Sequence, residues 1–192
     1  YIDTNIVNSV YTTVYADKII AGTRVGLTMM CLNSNNEYLS DINVRKAVQM
    51  AINRQDLIDL VLNGDGTIEN GIIPAGVVGH NDNITQINYD PDAAKALLAE
   101  AGYAEGEITL ELSVDNSSTP NTQRVCQLIQ QDLQAVGINV ELKSYDPSAW
   151  LELRKAGNMC SFVGTWTMDY NDPANIMYTF FGSADKTKIR SL

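Results

Sequence analysis

The sequence predicts an α/β fold, a mixed and largely parallel sheet flanked by helices. Three observations carry that expectation. Three times the chain writes a capping residue, a proline, a run at helical spacing and then a glycine. Between those runs lie short segments in which apolar and polar residues alternate, so that the order from Ile108 onward reads β-α-β-α-β. Crossover helices of this size join parallel strands with right-handed connections. The composition agrees: 192 residues, 45% hydrophobic and 19% charged, is an ordinary globular mix for one domain or one large lobe.

The elements follow in order. Residues 1–22 show scattered apolar positions without a period and read as a lead-in. Thr23 to Leu32 reads as a strand with Val25, Leu27, Met29 and Cys31 on one face and Met30 and Leu32 on the other. Apolar residues on both faces suggest a central, doubly covered strand. Asn33 to Asn36 is turn chemistry. Ser40 can cap a helix that starts near Asp41, with Val44, Ala47, Val48 and Ala51 on one stripe. Asn53 caps a second helix through Leu57, Ile58, Val61 and Leu62, stopped by Gly64. Gly64 to Asn88 reads as a long loop, a length that usually accompanies a function.

The three punctuated helices come next. Asp90-Pro91 opens one through Ala94, Leu97, Leu98 and Ala101 to Gly102. Thr119-Pro120 opens another through Val125, Leu128, Ile129 and Val136 to Gly137. Asp146-Pro147 opens the third through Trp150 and Leu153 to Gly157. Proline at the first helical position and glycine just past the end is the asymmetry helices prefer. Strands are expected at Ile108–Val114, at Ile138–Leu142 and in the mostly apolar run Met159–Thr167.

Charge and motifs narrow the function. Lys plus Arg is 13 and Asp plus Glu is 23, a net charge of −10. A surface of that sign repels phosphate backbones, so no nucleic-acid partner is expected. The acidic stretch from Asn81 to Asp115, with only Lys95 against it, reads as a solvated face. No apolar run is long enough to span a bilayer, so no direct membrane insertion is expected. Cys31, Cys126 and Cys160 are odd in number, widely spaced and set in apolar segments, which points to packing rather than a disulfide framework. With one histidine, His80, in a Gly/Asn loop and without an evident partner, neither a His/Cys zinc site nor a serine-histidine centre is expected. No nucleotide or dinucleotide motif is present, and no cofactor is expected. The chain opens Tyr1-Ile2-Asp3-Thr4 without an initiating Met, which reads as a mature or excised piece.

In open α/β sheets, ligands sit beyond the carboxyl ends of the strands. The last strand delivers its end into Trp166-Thr167-Met168-Asp169-Tyr170-Asn171-Asp172-Pro173, the densest polar-aromatic cluster in the chain. A carboxylate beside indole and phenol rings suits a cationic group: the acid supplies charge and the rings a desolvated, cation-attracting wall. Asp172-Pro173 can equally cap a further helix through Asn175, Ile176 and Phe180, with Trp166 as core. Asp169 and Asp172 as a hydrolytic carboxylate pair is a remoter alternative.

Several stretches together carry a resemblance. They are Asp41 to Arg54, then Ile73-Pro74, then Tyr89-Asp90-Pro91 through Gly102-Tyr103, then Ile129 to Leu133 with Gly137-Ile138, and Trp166 to Pro173. The chain resembles the family-5 solute-binding proteins of ABC importers, the oligopeptide-, dipeptide- and nickel-binding type, over about Thr23 to Phe181. The resemblance implies a periplasmic-binding-protein-like lobe, non-catalytic, working at the extracellular face of the cell membrane or in a periplasm. Family members are much longer and close two lobes on a ligand. The chain looks like the C-terminal lobe, spanning 23–192, with 1–22 as a lead-in or hinge segment. The implied partners are a peptide or other small solute, the missing N-terminal lobe and the permease subunits. Asp169 matches the residue that pairs with a peptide's α-ammonium. Thr165, Trp166 and Thr167 match the strand end that pairs main chain with the peptide, and Tyr170 adds a ring beside them. A nickel-chelate or other small-solute ligand remains open.

Overall fold

The Pro-to-Gly punctuation translates into helices almost residue for residue. The computed structural model describes residues 16–18 and 25–181; the lead-in, except a single 3-10 turn at Ala16–Lys18, and the residues Thr23 and Arg24 lie outside them. The described elements are β1 (Gly26–Leu32), α1 (Ile42–Ala51), α2 (Arg54–Val61), α3 (Pro91–Glu100), β2 (Thr109–Asp115), α4 (Pro120–Ala135), β3 (Asn139–Tyr145), α5 (Pro147–Ala156), β4 (Ser161–Thr167) and α6 (Ala174–Phe181). Each of α3, α4 and α5 has its proline in the first turn.

Three caps are as expected: Asn53 accepts from Asp56 N, Asp90 from Ala93 N and Thr119 from Thr122 N. Two differ. Asp41, not Ser40, caps α1, accepting from Asn43 N at 2.7 Å, while the Ser40 hydroxyl donates to Glu37 O. Asp146 makes no side-chain cap bond to α5. Its Oδ1 instead accepts from Asn116 Nδ2 at 2.7 Å, tying the turn after β2 to the turn after β3. Gly137 follows α4 at φ 88, in the left-handed region where a side chain is strained, and an added Cβ would also meet Glu105 Cγ at 2.9 Å.

The strands form one sheet in the order β1-β4-β2-β3. β2 is parallel to both β3 and β4, whereas β1 runs antiparallel to β4. Within the described sheet β1 is therefore an edge strand, not the central one its composition suggests. Its two apolar faces have another cause. Met30 and Leu32 pack against the main core, and Leu27 and Cys31 are buried on the opposite face. Helices cover both faces of the sheet there, so burial on two sides needs no second strand neighbour.

The main core lies on the first face. Leu110, Leu112, Val140 and Val163 from the sheet meet Val44, Ala47 and Val48 of α1, Ala94 and Leu98 of α3, and Cys126, Ile129 and Leu133 of α4. On the opposite face, Trp150 and Leu153 of α5 cover Cys31, Met159 and Phe162. Beside them Ile176 and Phe180 of α6 cover Leu27, with Met29, Ile72 and Trp166 packed against that group. The long loop contributes Ile72 to this second layer, so it is packed onto the sheet.

Candidate functional site

β4 outruns its parallel neighbour. Its pairing with β2 stops at Leu112↔Ser161 and Ser113↔Phe162, while its pairing with β1 continues to Gly26↔Thr167. From Gly164 to Thr167 the strand has β1 on one side and, among the described residues, no strand on the other. This leaves a stretch of backbone donors and acceptors beyond the carboxyl end of β2. Gly26 makes the β1 side of this arrangement close: a Cβ there would lie 2.6 Å from the Trp166 carbonyl oxygen. Alternation puts Trp166 on the face of Phe162, and Thr165 and Thr167 on the other face, where the Thr165 hydroxyl meets that of Thr28 at 3.1 Å.

Past the strand end the chain turns into α6, and this turn organises the cluster. Asp172 Oδ1 accepts from Ala174 N at 2.8 Å, so it does start the helix, as its place before Pro173 allowed. The helix start places Asn175, only 3% exposed, between Trp166 and Asp169. Trp166 Nε1 donates to Asn175 Oδ1 at 2.8 Å. Asn175 Nδ2 faces Asp169 Oδ2 at 3.5 Å. The Trp166 ring stands edge-on to Phe180, with centroids 5.1 Å apart. Trp166 is thus half-buried and fixed at both its polar and apolar edges, while Asp169 and Tyr170 are exposed. Five expected site residues, Thr165, Trp166, Thr167, Asp169 and Tyr170, occupy one strand end and the turn that follows it.

The sequence missed two contributors. A pocket of about 40 Å³ opens beside Trp166, lined by Met29, Cys31, Phe162, Gly164 and Phe180 together with Arg154 of α5. The Arg154 guanidinium lies 5.4 Å from the centroids of both Trp150 and Phe162, within cation–π reach. Arg154 reads in sequence only as a basic residue in a helix's last turn. Asn175 reads only as a polar residue near a helix start. The long loop is a third participant: Asn171 Nδ2 donates to Gly76 O at 3.2 Å, joining it to the turn after β4.

Other titratable groups are accounted for elsewhere. His80 has partners after all, with Nδ1 2.7 Å from Ile73 O, Nε2 3.1 Å from Asp82 and Nδ1 3.9 Å from Glu69. The bond to Ile73 O, helped by the two carboxylates, raises its pKa above the ordinary value. Glu111 is not simply part of a solvated acidic face. Burial pushes its carboxyl up, but hydrogen bonds from Lys143, Tyr145 and Ser113 outweigh it and hold the pKa below the usual value. Burial pushes the thiols of Cys31 and Cys126 up to about 11. Among the described residues no three His, Cys, Asp or Glu side chains gather as a metal site would require.

The dipeptide-binding protein of Escherichia coli K12 is 34% identical over 154 residues, covering 79% of this chain and 29% of that protein. The structure of HbpA2 from Haemophilus parasuis superposes with a TM-score of 0.80 at 28% identity, over 85% of this chain and 33% of that one. The periplasmic binding protein DppA from Helicobacter pylori, in complex with the peptide STSA, gives 0.78 at 28% identity, over 86% and 32%. The chain thus spans about a third of the length of these relatives. The family model described as bacterial extracellular solute-binding proteins, family 5 Middle, matches residues 2–188, and the chain belongs to that family.

Proposed function

We propose that the chain is the non-catalytic, substrate-binding C-terminal lobe of an ABC importer's binding protein, and that it captures peptides. In this reading residues 23–192 form the lobe and 1–22 belong to a lead-in or hinge. A second lobe closes over the ligand, and the closed protein docks on permease subunits outside the cytoplasmic membrane or in a periplasm. One observation carries the reading. The overhanging end of β4 offers backbone groups for an added strand, and the exposed carboxylate of Asp169 stands just past it.

The physics of the two parts differs. A strand added at Thr165–Thr167 is held by main-chain hydrogen bonds, which tolerate many side chains. Asp169 supplies the fixed point: a peptide's α-ammonium, desolvated when two lobes close, requires an anion to meet it. Trp166 and Tyr170 provide the aromatic wall around that charge. The peptide-binding names of the E. coli and H. pylori relatives support the same ligand class.

The test is calorimetry with di- to tetrapeptides on the protein that contains this chain. Asp169→Ala is expected to weaken binding by about a hundredfold or more, the scale of leaving one partner of a buried ion pair alone, with the melting curve unchanged. Unaltered peptide affinity in the variant overturns the assignment of Asp169.

A further inference from the structure

We infer that Asn175 is a positioning residue for the ligand's ammonium, setting the place of the Asp169 carboxylate relative to the Trp166 ring. The inference deepens the peptide-binding reading and rests on it. Three features of Asn175 carry it.

First, the residue is buried although its side chain carries two donors and an acceptor. Burying an amide is unfavourable unless its groups are met. Among the described residues its side chain meets Trp166 and Asp169, both members of the proposed site.

Second, the amide's orientation is not free. An indole N–H can only donate, so the Asn175 atom 2.8 Å from Trp166 Nε1 must be the carbonyl oxygen. The NH2 group is then necessarily the end turned to Asp169. One bond thus dictates the other, and a donor is presented to the carboxylate whenever the indole is in place.

Third, the contact to Asp169 is long, at 3.5 Å, and engages only Oδ2. A long, adjustable bond to an exposed carboxylate orients it without consuming its capacity: a carboxylate has several acceptor directions and one amide hydrogen takes one of them. Asn175 is the second residue of α6. Its backbone N donates to Asp172 O, which ties the first turn of the helix to the segment that carries Asp169.

Asn175 also holds the Trp166 indole, so its loss costs every peptide something, but the part that acts through Asp169 falls only on ligands that use Asp169. The experiment therefore compares one peptide with a free amino terminus and the same peptide N-acetylated, by calorimetry on the protein that contains this chain. The unmodified protein is expected to favour the free amine by about a hundredfold. In Asn175→Ala that preference is expected to shrink about tenfold, the worth of a hydrogen bond to a charged group, with the acetylated peptide losing correspondingly less affinity than the free one. Asn175→Ser keeps a polar residue that suits a helix's first turn, yet its hydroxyl is too short to span both partners. It is expected to show the same selective loss, and it decides the matter where the alanine variant does not fold. Equal losses for both peptides, or an unchanged preference, overturn the inference while leaving the Asp169 assignment standing. An unmodified protein that does not distinguish the two peptides overturns the ammonium reading itself, and the role of Asn175 with it.

Discussion

His80 fastens the long loop through Ile73 O, Asp82 and Glu69, and the same loop carries Ile72 into the packing around Trp166. Because its folded pKa is raised above the ordinary 6.5, the stabilisation is complete below about that value. It is lost as pH rises through the folded pKa. The loop is expected to loosen as pH rises above about 6.5 and through the folded pKa, and an NMR titration of the His80 ring should place its midpoint above the unfolded value. A midpoint at or below it contradicts the fastening. Glu111 works with the opposite sign. Its folded pKa is lowered, so its contribution is present above the unfolded 4.5 and disappears as pH falls through the folded value. Glu111→Gln is accordingly expected to unfold more readily in urea at pH 7 and to match the parent in strong acid. The thiols of Cys31 and Cys126, pushed to about 11, are expected to resist iodoacetamide at pH 8 until the chain is unfolded.

At the scale of elements, the capping pattern separates into bonds that exist and bonds that the sequence only suggests. Asp90→Ala and Thr119→Ala each remove a real cap bond and are expected to cost about 1 kcal/mol in urea unfolding. Asp146→Ala removes none from α5, so its effect is expected to track that of Asn116→Ala, the other half of the bond it does make. A cap-sized loss in Asp146→Ala with none in Asn116→Ala would refute this. Helices were legible here because proline, glycine and the apolar period act locally, within a turn or two of the residue concerned. The choice between Ser40 and Asp41 was not, because both are capping residues and their backbone geometry decides between them. Strand existence was legible as well, from period-2 alternation in β2 and β3 and from largely apolar runs in β1 and β4. Strand position was not: β1 shows two buried faces, and only its pairing partner reveals that it is an edge. Gly26 is similarly silent in sequence, although the Trp166 carbonyl leaves no room for a side chain beside it.

On the scale of the molecule, the sheet separates two duties. The first face carries the larger core and with it most of the stability, so Leu112→Ala, fully buried there, is expected to cost about 2–5 kcal/mol. The opposite face carries the group of Leu27, Ile176 and Phe180 against which Trp166 rests. Phe180→Ala is expected to impair peptide affinity more than a substitution of equal thermal cost in the first core, comparing melting temperature with calorimetry. The outline of the proposed site is visible in the sequence because a strand end followed by Trp, Asp and Tyr is contiguous there. Arg154 and Asn175 were not readable as members. Nothing in their own neighbourhood distinguishes them, and only the packing of α5 and α6 on the sheet brings them to Trp166.

The strand pair at the proposed site is also, among the described strands, the one whose halves are farthest apart along the chain: Thr28 and Thr165, whose hydroxyls touch, are separated by 137 residues. Loop closure makes such contacts slow to form. During synthesis Leu27, Met29, Met30, Cys31 and Leu32 emerge long before β4 exists, an apolar ribbon with its hydrogen-bonding edge open, which is the kind of segment that chaperones hold and aggregates recruit. The overhang proposed to hold a solute therefore forms late, when β1, the first of the described strands to be made, finally meets β4, the last of them.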